Sequence, residues 1–229
     1  MPREESVAKG RSHCTKCSKL IPWYYNIPVF SFLVLRGRCA YCKSAISFQY
    51  PLVELLTGTS YGILFWYFGL TPQFFVYVIL VSSLLVITFI DLEHQIIPDE
   101  LSISGIVLGF LACFVTHDIT WWQSLLGILL GGGSFYAVAS LYEKLSGKEG
   151  LGGGDIKLLG MLGAWLGYES ILPIVVVSSL TGSVIGLTYM ALTKKNMKAA
   201  IPFGPFLALG AIVYLFFKDQ MTHILFYQY

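Results

Sequence analysis

Seven apolar stretches, near residues 50–70, 72–91, 101–117, 121–142, 156–168, 170–193 and 203–218, take up most of this 229-residue chain, with short polar loops between them. About 20 helical residues cross a hydrocarbon core roughly 30 Å thick, so each stretch predicts a membrane span. Lipid offers no partner for backbone N–H and C=O groups, and spans must therefore pair them internally as helices. The expected fold class is an all-α polytopic membrane protein with about seven transmembrane helices. The fifth stretch is short, and tilting, local bilayer thinning or packing inside the bundle would each accommodate it. Composition agrees: 55% hydrophobic residues, 12% charged residues and a mean hydropathy of +0.69 exclude an ordinary soluble domain.

Charge placement predicts orientation. Lys and Arg are retained on the cytoplasmic side of short loops. With the N-terminus inside, residues 1–49 hold eight of the 15 basic residues. Lys144, Lys148, Lys157, Lys194, Lys195 and Lys198 fall on inside loops, and Lys218 alone falls outside. A seven-span topology with the N-terminus in and the C-terminus out follows. A net charge of +2 is too small to suggest a nucleic-acid partner, and the bilayer is the expected one. Residues 1–19 are polar and basic with no apolar core, so no cleavable signal peptide is expected there.

Residues 1–49 differ from the rest and predict a separate cytoplasmic segment, with residues 50–229 forming the transmembrane domain. The segment carries Cys14-x-x-Cys17 and Cys39-x-x-Cys42, four of the five cysteines. Two thiolates from each pair complete a tetrahedral S4 shell, the pattern of a small zinc ribbon whose structural zinc substitutes for a core. Disulfides are the alternative, disfavoured by a reducing cytoplasm. His13 is a further possible ligand, and Cys113, inside a span, reads as a packing residue.

Two carboxylates stand out where apolar helices meet polar loops. Asp91 ends the apolar run that closes at Ile90, and Asp155 follows Gly152-Gly153-Gly154. An acidic residue at the bilayer core costs about 2.5–3.5 kcal/mol on insertion scales, so a retained pair points to use. The topology puts both on the cytoplasmic face. The glycines would let an extended substrate backbone approach and permit a tight entry turn. Helix capping is the structural alternative for Asp155; Asp99 is the best alternative to Asp91 as second catalyst, but it follows Pro98 ahead of the helix expected near Leu101 and also suits a cap. Gly131-Gly132-Gly133 lies mid-span, where small residues allow close helix approach. A membrane aspartyl protease is the leading reading; a non-enzymatic scaffold or cation carrier with a docking segment is the competing one, against which no inverted repeat is visible.

These residues, taken together, resemble the bacterial type IV prepilin peptidases, membrane aspartyl proteases of the G-x-G-D class. The likeness runs through the C-x-x-C pairs, Trp23-Tyr24-Tyr25-Asn26-Ile27-Pro28, Leu35-Arg36-Gly37-Arg38-Cys39 and Tyr50-Pro51-Leu52-Val53-Glu54. It continues through Ile90-Asp91, Ile97-Pro98-Asp99, Gly152 to Leu159, and Pro202-Phe203-Gly204-Pro205-Phe206. The resemblance implies Asp91 and Asp155 as catalytic residues, with Gly152, Gly153, Gly154 and Asp99 in the active-site loops. It also implies cleavage of the leader of prepilins or pseudopilins, for a type IV pilus or type II secretion, at the cytoplasmic face of the bacterial inner membrane. Many members then methylate the new N-terminus with S-adenosylmethionine; Gly37, Arg38 and Glu54 are the candidate supports for methyl transfer. The chain departs from the family pattern at Tyr25, where Asp is common, and at Gln49, where a basic residue is common, both in the segment linked to methylation. Members usually begin with a transmembrane helix leading into a motif like Pro2 to Val7; the first helix is expected to be either lost or truncated away here.

Overall fold

A computed structural model of the chain describes residues 12–147, 152–193 and 202–226; Lys148, Leu151, Lys194, Lys195 and Lys198, used in the sequence reading, lie outside them. Nine α-helices are described: α1 Phe30–Val34, α2 Gln49–Phe68, α3 Pro72–His94, α4 Asp99–Thr116, α5 Trp121–Ile128, α6 Phe135–Ser146, α7 Gly153–Leu166, α8 Ile171–Thr193 and α9 Gly204–Phe226. A π-helical segment, Leu129–Ser134, joins α5 to α6. No strand is formed among the described residues, only two isolated bridges. Among the described residues, four helical stretches, Pro72–His94, Asp99–Thr116, Trp121–Ser146 and Tyr168–Leu192, are long and apolar enough to cross a membrane. The chain is a helical membrane protein, and all seven expected stretches are helical.

The chain divides into two compact units, Met1–Ile63 and Leu64–Tyr229. In the described part of the first, the buried residues are Ser31, Cys39 and Pro51. Its order comes from turns and bridges. His13 pairs with Leu20 and Arg38 with Ala45, each bridge closing a loop that holds one C-x-x-C pair. The two loops repeat one geometry 25 positions apart, with Ser18 and Lys43 both at positive φ just past the second cysteine.

The second unit has a continuous apolar core that includes Leu80, Leu84, Ile87, Leu158, Leu162 and Tyr214. Its centre is α7. Every residue from Leu158 to Leu166 is buried, and at 14 residues the helix is about 21 Å long, too short to cross alone. Packing inside the bundle is thus how the short fifth stretch is accommodated. Glycine makes that packing possible: the backbones of Gly127 on α5 and Gly163 on α7 meet so closely that a Cβ on either would strike the other. A Cβ on Gly131 would meet the Leu159 carbonyl, and one on Gly132 would lie 3.5 Å from Gly160, whereas Gly133 faces open space. Of the three consecutive glycines, Gly131 therefore serves close helix approach, and Gly132 borders the same contact with room for a Cβ. Polar side chains tie α7 to two neighbours: Ser124 Oγ on α5 donates to the Ala164 carbonyl at 2.7 Å, and Trp165 Nε1 donates to the Gly105 carbonyl on α4 at 2.8 Å. Cys113 is buried and its thiol donates to the Phe110 carbonyl, consistent with a packing role.

Candidate active site and cysteine cluster

Asp91 sits in the last turn of α3, which ends when Gln95 adopts a left-handed conformation. It is 5% exposed, and its Oδ2 accepts the Gly204 N–H at 2.9 Å. Gly204 is the first residue of α9, so the carboxylate takes up one of the donors that a helix start leaves unpaired, at the positive end of the helix dipole. A Cβ on Gly204 would lie 2.6 Å from that oxygen, so only glycine allows the approach.

Asp155 lies in the first turn of α7. The helix begins at Gly153 with Gly152 as its N-cap, and Asp155 is thus the third helical residue, which corrects the capping alternative. None of Gly152, Gly153 and Gly154 has a positive φ, and Gly152 has an extended backbone that any residue adopts, so the unusual dihedrals expected of the entry turn are not used. The Asp91 carboxylate is near enough to act electrostatically on Asp155. Ile97, in the α3–α4 loop, ties the pieces together: a Cβ on Gly154 would lie 3.0 Å from Ile97 Cβ, and one on Gly204 would lie 3.3 Å from Ile97 Cδ1. The C-terminal end of α3 and the N-terminal ends of α7 and α9 therefore converge around one isoleucine and two aspartates. Gly152 lies against the Asp155 carboxylate, while Gly153 faces open space.

Asp99 takes a different partner. The Lys157 ammonium donates to its two oxygens at 2.6 and 2.7 Å, joining the starts of α4 and α7. The N-cap of α4 is Pro98, with Asp99 the first helical residue, so the expected cap at Asp99 is not formed. Proline, with its φ fixed near −65°, suits an entry position. Gly204, Ile97 and Lys157 were not singled out as site residues from the sequence. Gly204 had a signal in Phe203-Gly204-Pro205, since Pro in a first turn marks a helix start.

In the first unit the four cysteine sulfurs lie within 4.8 Å of one another, and none is in a disulfide. Cys14 Sγ and Cys42 Sγ are 3.8 Å apart. Tetrahedral zinc with Zn–S bonds of about 2.3 Å sets sulfurs about 3.8 Å apart, whereas a disulfide needs about 2.05 Å, so the cluster fits zinc. The Cys17 and Lys16 backbone N–H groups pull the Cys14 thiol down to about 6, and the Ser44 hydroxyl lowers Cys42. Those two shifts favour the thiolate that a metal requires, whereas desolvation and the neighbouring thiols push Cys17 up to about 11. Cys14 and Cys39 are each followed by a left-handed residue four positions on, which turns the chain back over the sulfurs.

The three residues expected to support methyl transfer are placed as follows. Gly37, at φ +67°, packs on the Phe32 ring, where a Cβ would lie 3.0 Å away. Arg38 belongs to the second cysteine loop through its bridge to Ala45. Glu54, on α2, accepts the Val29 N–H at 2.6 Å. Val29 has φ 59° and ψ −48°, and the Pro28 carbonyl accepts the Phe30 N–H across it, a γ-turn strained for a β-branched residue and held by the carboxylate.

Residues 1–68 match the bacterial peptidase A24 N-terminal domain, and residues 78–187 match the type IV leader peptidase family. Relatives named prepilin leader peptidase/N-methyltransferase include one from Pseudomonas aeruginosa, 40% identical over 92% of this chain and 73% of its own length. One from Xanthomonas campestris is 39% identical over 96% of this chain and 77% of its own length. One from Stutzerimonas stutzeri is 37% identical over 92% of this chain and 73% of its own length. No solved structure matches the chain. Two aspartates brought to one end of a helical membrane bundle, a four-cysteine segment ahead of them and these matches lead to one assignment: the chain belongs to the type IV leader peptidase family.

Proposed function

We propose that this chain is an aspartic endopeptidase that removes the leader of type IV prepilins or pseudopilins, with Asp91 and Asp155 as its acid–base pair, working at the cytoplasmic face of the inner membrane. The observation that carries this reading is the meeting of the end of α3 with the starts of α7 and α9 at Ile97, with Asp91 held by the Gly204 N–H and Asp155 beside the Gly152 to Gly154 entry turn. Neighbouring carboxyl groups share one proton because two like charges close together cannot both ionise. The ionised member draws a proton from water, whose oxygen attacks the scissile carbonyl, while the protonated member donates to the carbonyl oxygen; no covalent intermediate is needed. Because the pair titrates jointly, neither role belongs to one aspartate alone. Gly204 holds Asp91 in position, Lys157 and Asp99 hold the starts of α7 and α4 together, and the open face at Gly153 leaves room for an extended substrate backbone.

The methyl-transfer half of the activity is assigned to the first unit. Cys14, Cys17, Cys39 and Cys42 would hold a structural zinc that fixes the two loops, and S-adenosylmethionine is the methyl donor. Gly37 and Arg38 on the second loop and Glu54 on α2 are the residues assigned to support transfer, Glu54 by fixing the Val29 turn. The seven-span topology completes this reading. Incubating the purified protein with a prepilin substrate and S-adenosylmethionine, followed by mass spectrometry of the product, tests both halves at once. A cleaved and methylated N-terminus supports the whole assignment; an intact leader refutes the protease, and a cleaved but unmethylated product refutes the transferase.

A further inference from the structure

Residues 12–48 contain five cations, Lys16, Lys19, Arg36, Arg38 and Lys43, and no Asp or Glu. The same residues expose large apolar side chains: Trp23 is 77% exposed, Leu33 67% and Phe30 61%. On α1, Phe30, Leu33 and Val34 follow the i, i+3, i+4 spacing of one helix face, and all three are exposed. The buried residue of that helix is Ser31, whose hydroxyl donates to the Tyr24 carbonyl at 3.2 Å and accepts the Ile27 N–H at 3.1 Å. Those bonds fix the Trp23–Tyr25 turn to α1, so the apolar side chains belong to one small rigid piece.

Exposed aromatic and aliphatic side chains beside cations that no Asp or Glu of residues 12–48 opposes form a surface that neither bulk water nor the bilayer core suits. Water disfavours the apolar face, and lipid tails exclude the charges. The boundary between headgroups and acyl chains suits both: tryptophan is enriched there, and Lys and Arg gain from anionic headgroups. The chain also runs from Phe48 directly into α2, whose Phe65, Trp66 and Tyr67 are exposed apolar residues. We propose that this segment docks on the surface of the bilayer, with Trp23 and the Phe30, Leu33 and Val34 face entering the headgroup boundary and the cations resting on anionic phospholipid. A segment with almost no core of its own then uses the membrane as its second face.

The full chain, reconstituted in lipid discs of phosphatidylcholine alone or with phosphatidylglycerol, tests this. The emission of Trp23 is isolated as the difference between the unmodified chain and Trp23→Phe. Lipids brominated near the top of the acyl chain should quench it, with a quenching constant roughly tenfold higher in the anionic discs, as several cations near an anionic surface imply. Molar salt, or the combined Lys16→Gln, Lys19→Gln and Lys43→Gln variant with its zinc content unchanged, should abolish that difference. Equal quenching in neutral and anionic discs would overturn the assignment to anionic lipid. No quenching in either overturns the docking itself, as does a Trp23 emission spectrum that is the same in lipid discs and in detergent, which would place another part of the protein over this face.

Discussion

The two units of this protein are stabilised by opposite means. In the first, three buried residues are spread over 52 described positions, and order comes from turns, bridges and four sulfurs within 4.8 Å. In the second, a continuous apolar core surrounds α7, and glycines let backbones touch. A segment without a core depends on a few strong local links and fails when one is cut. A packed bundle distributes its stability, so single changes weaken it by degrees. On the function proposed, chemistry follows the same division: the Asp91 and Asp155 pair would need the rigidity of the bundle, whereas the cysteine loops would supply a platform whose form a metal sets.

The largest effect should come from breaking the first unit alone. Cys14→Ser with Cys17→Ser should release zinc and make residues 12–48 sensitive to protease while the bundle keeps its helical circular dichroism, because zinc binding and folding are linked in such segments. Methyl transfer should fall much more than leader cleavage. Unchanged proteolysis with zinc gone, measured alongside metal analysis, would erase the contrast.

In the bundle, Asp91→Asn or Asp155→Asn should each lower leader cleavage by about 10²–10⁴-fold, the usual contribution of acid–base catalysis, with folding intact. Asp99→Asn should only weaken cleavage, since it loosens the tie to Lys157. Normal turnover by either dyad variant, assayed on a prepilin, would reassign the catalysts. Gly204→Ala should cost up to about 10²-fold by displacing the Asp91 carboxylate with a Cβ 2.6 Å from its oxygen, a misplacement of the reacting group. Its thermal stability should change little by comparison, which separates positioning from folding.

Smaller effects grade the packing itself. Gly163→Ala forces its Cβ into the Gly127 backbone and should destabilise the second unit by about 1–3 kcal/mol, read as a lower melting temperature. Gly133→Ala, which meets nothing within 4 Å, is its control. Thr120→Ala removes a capping box in which Thr120 accepts the Gln123 N–H and Gln123 accepts the Thr120 N–H. Its loss should cost about 1 kcal/mol and leave cleavage unchanged.

Helix positions were legible because apolar runs and the breaks between them dominate the chain. The run expected at 203–218 is helical and stops near Phe217, where the backbone of α9 leaves helical geometry before resuming to Phe226. The π-helical segment at Leu129–Ser134 was not legible, since one extra residue in a turn reflects how Gly131 and Gly132 fit against α7. The aspartates were recognisable from residue type and place, and the cysteines from spacing. The repeat that puts Ser18 and Lys43 in matching left-handed turns was present in the spacing, but its geometry was not.

By itself, the sequence determined a helical membrane protein with two candidate acids and four candidate thiolates, because hydropathy, charge and cysteine spacing are local properties of the chain. The tertiary structure decided which groups meet. Asp91 and Gly204 are separated by 113 positions, Asp99 and Lys157 by 58, and their pairing depends on how α3, α4, α7 and α9 pack. It likewise decided that the short fifth stretch lies at the centre of the bundle, since burial is settled by the surrounding helices and an apolar run reads the same facing lipid or protein.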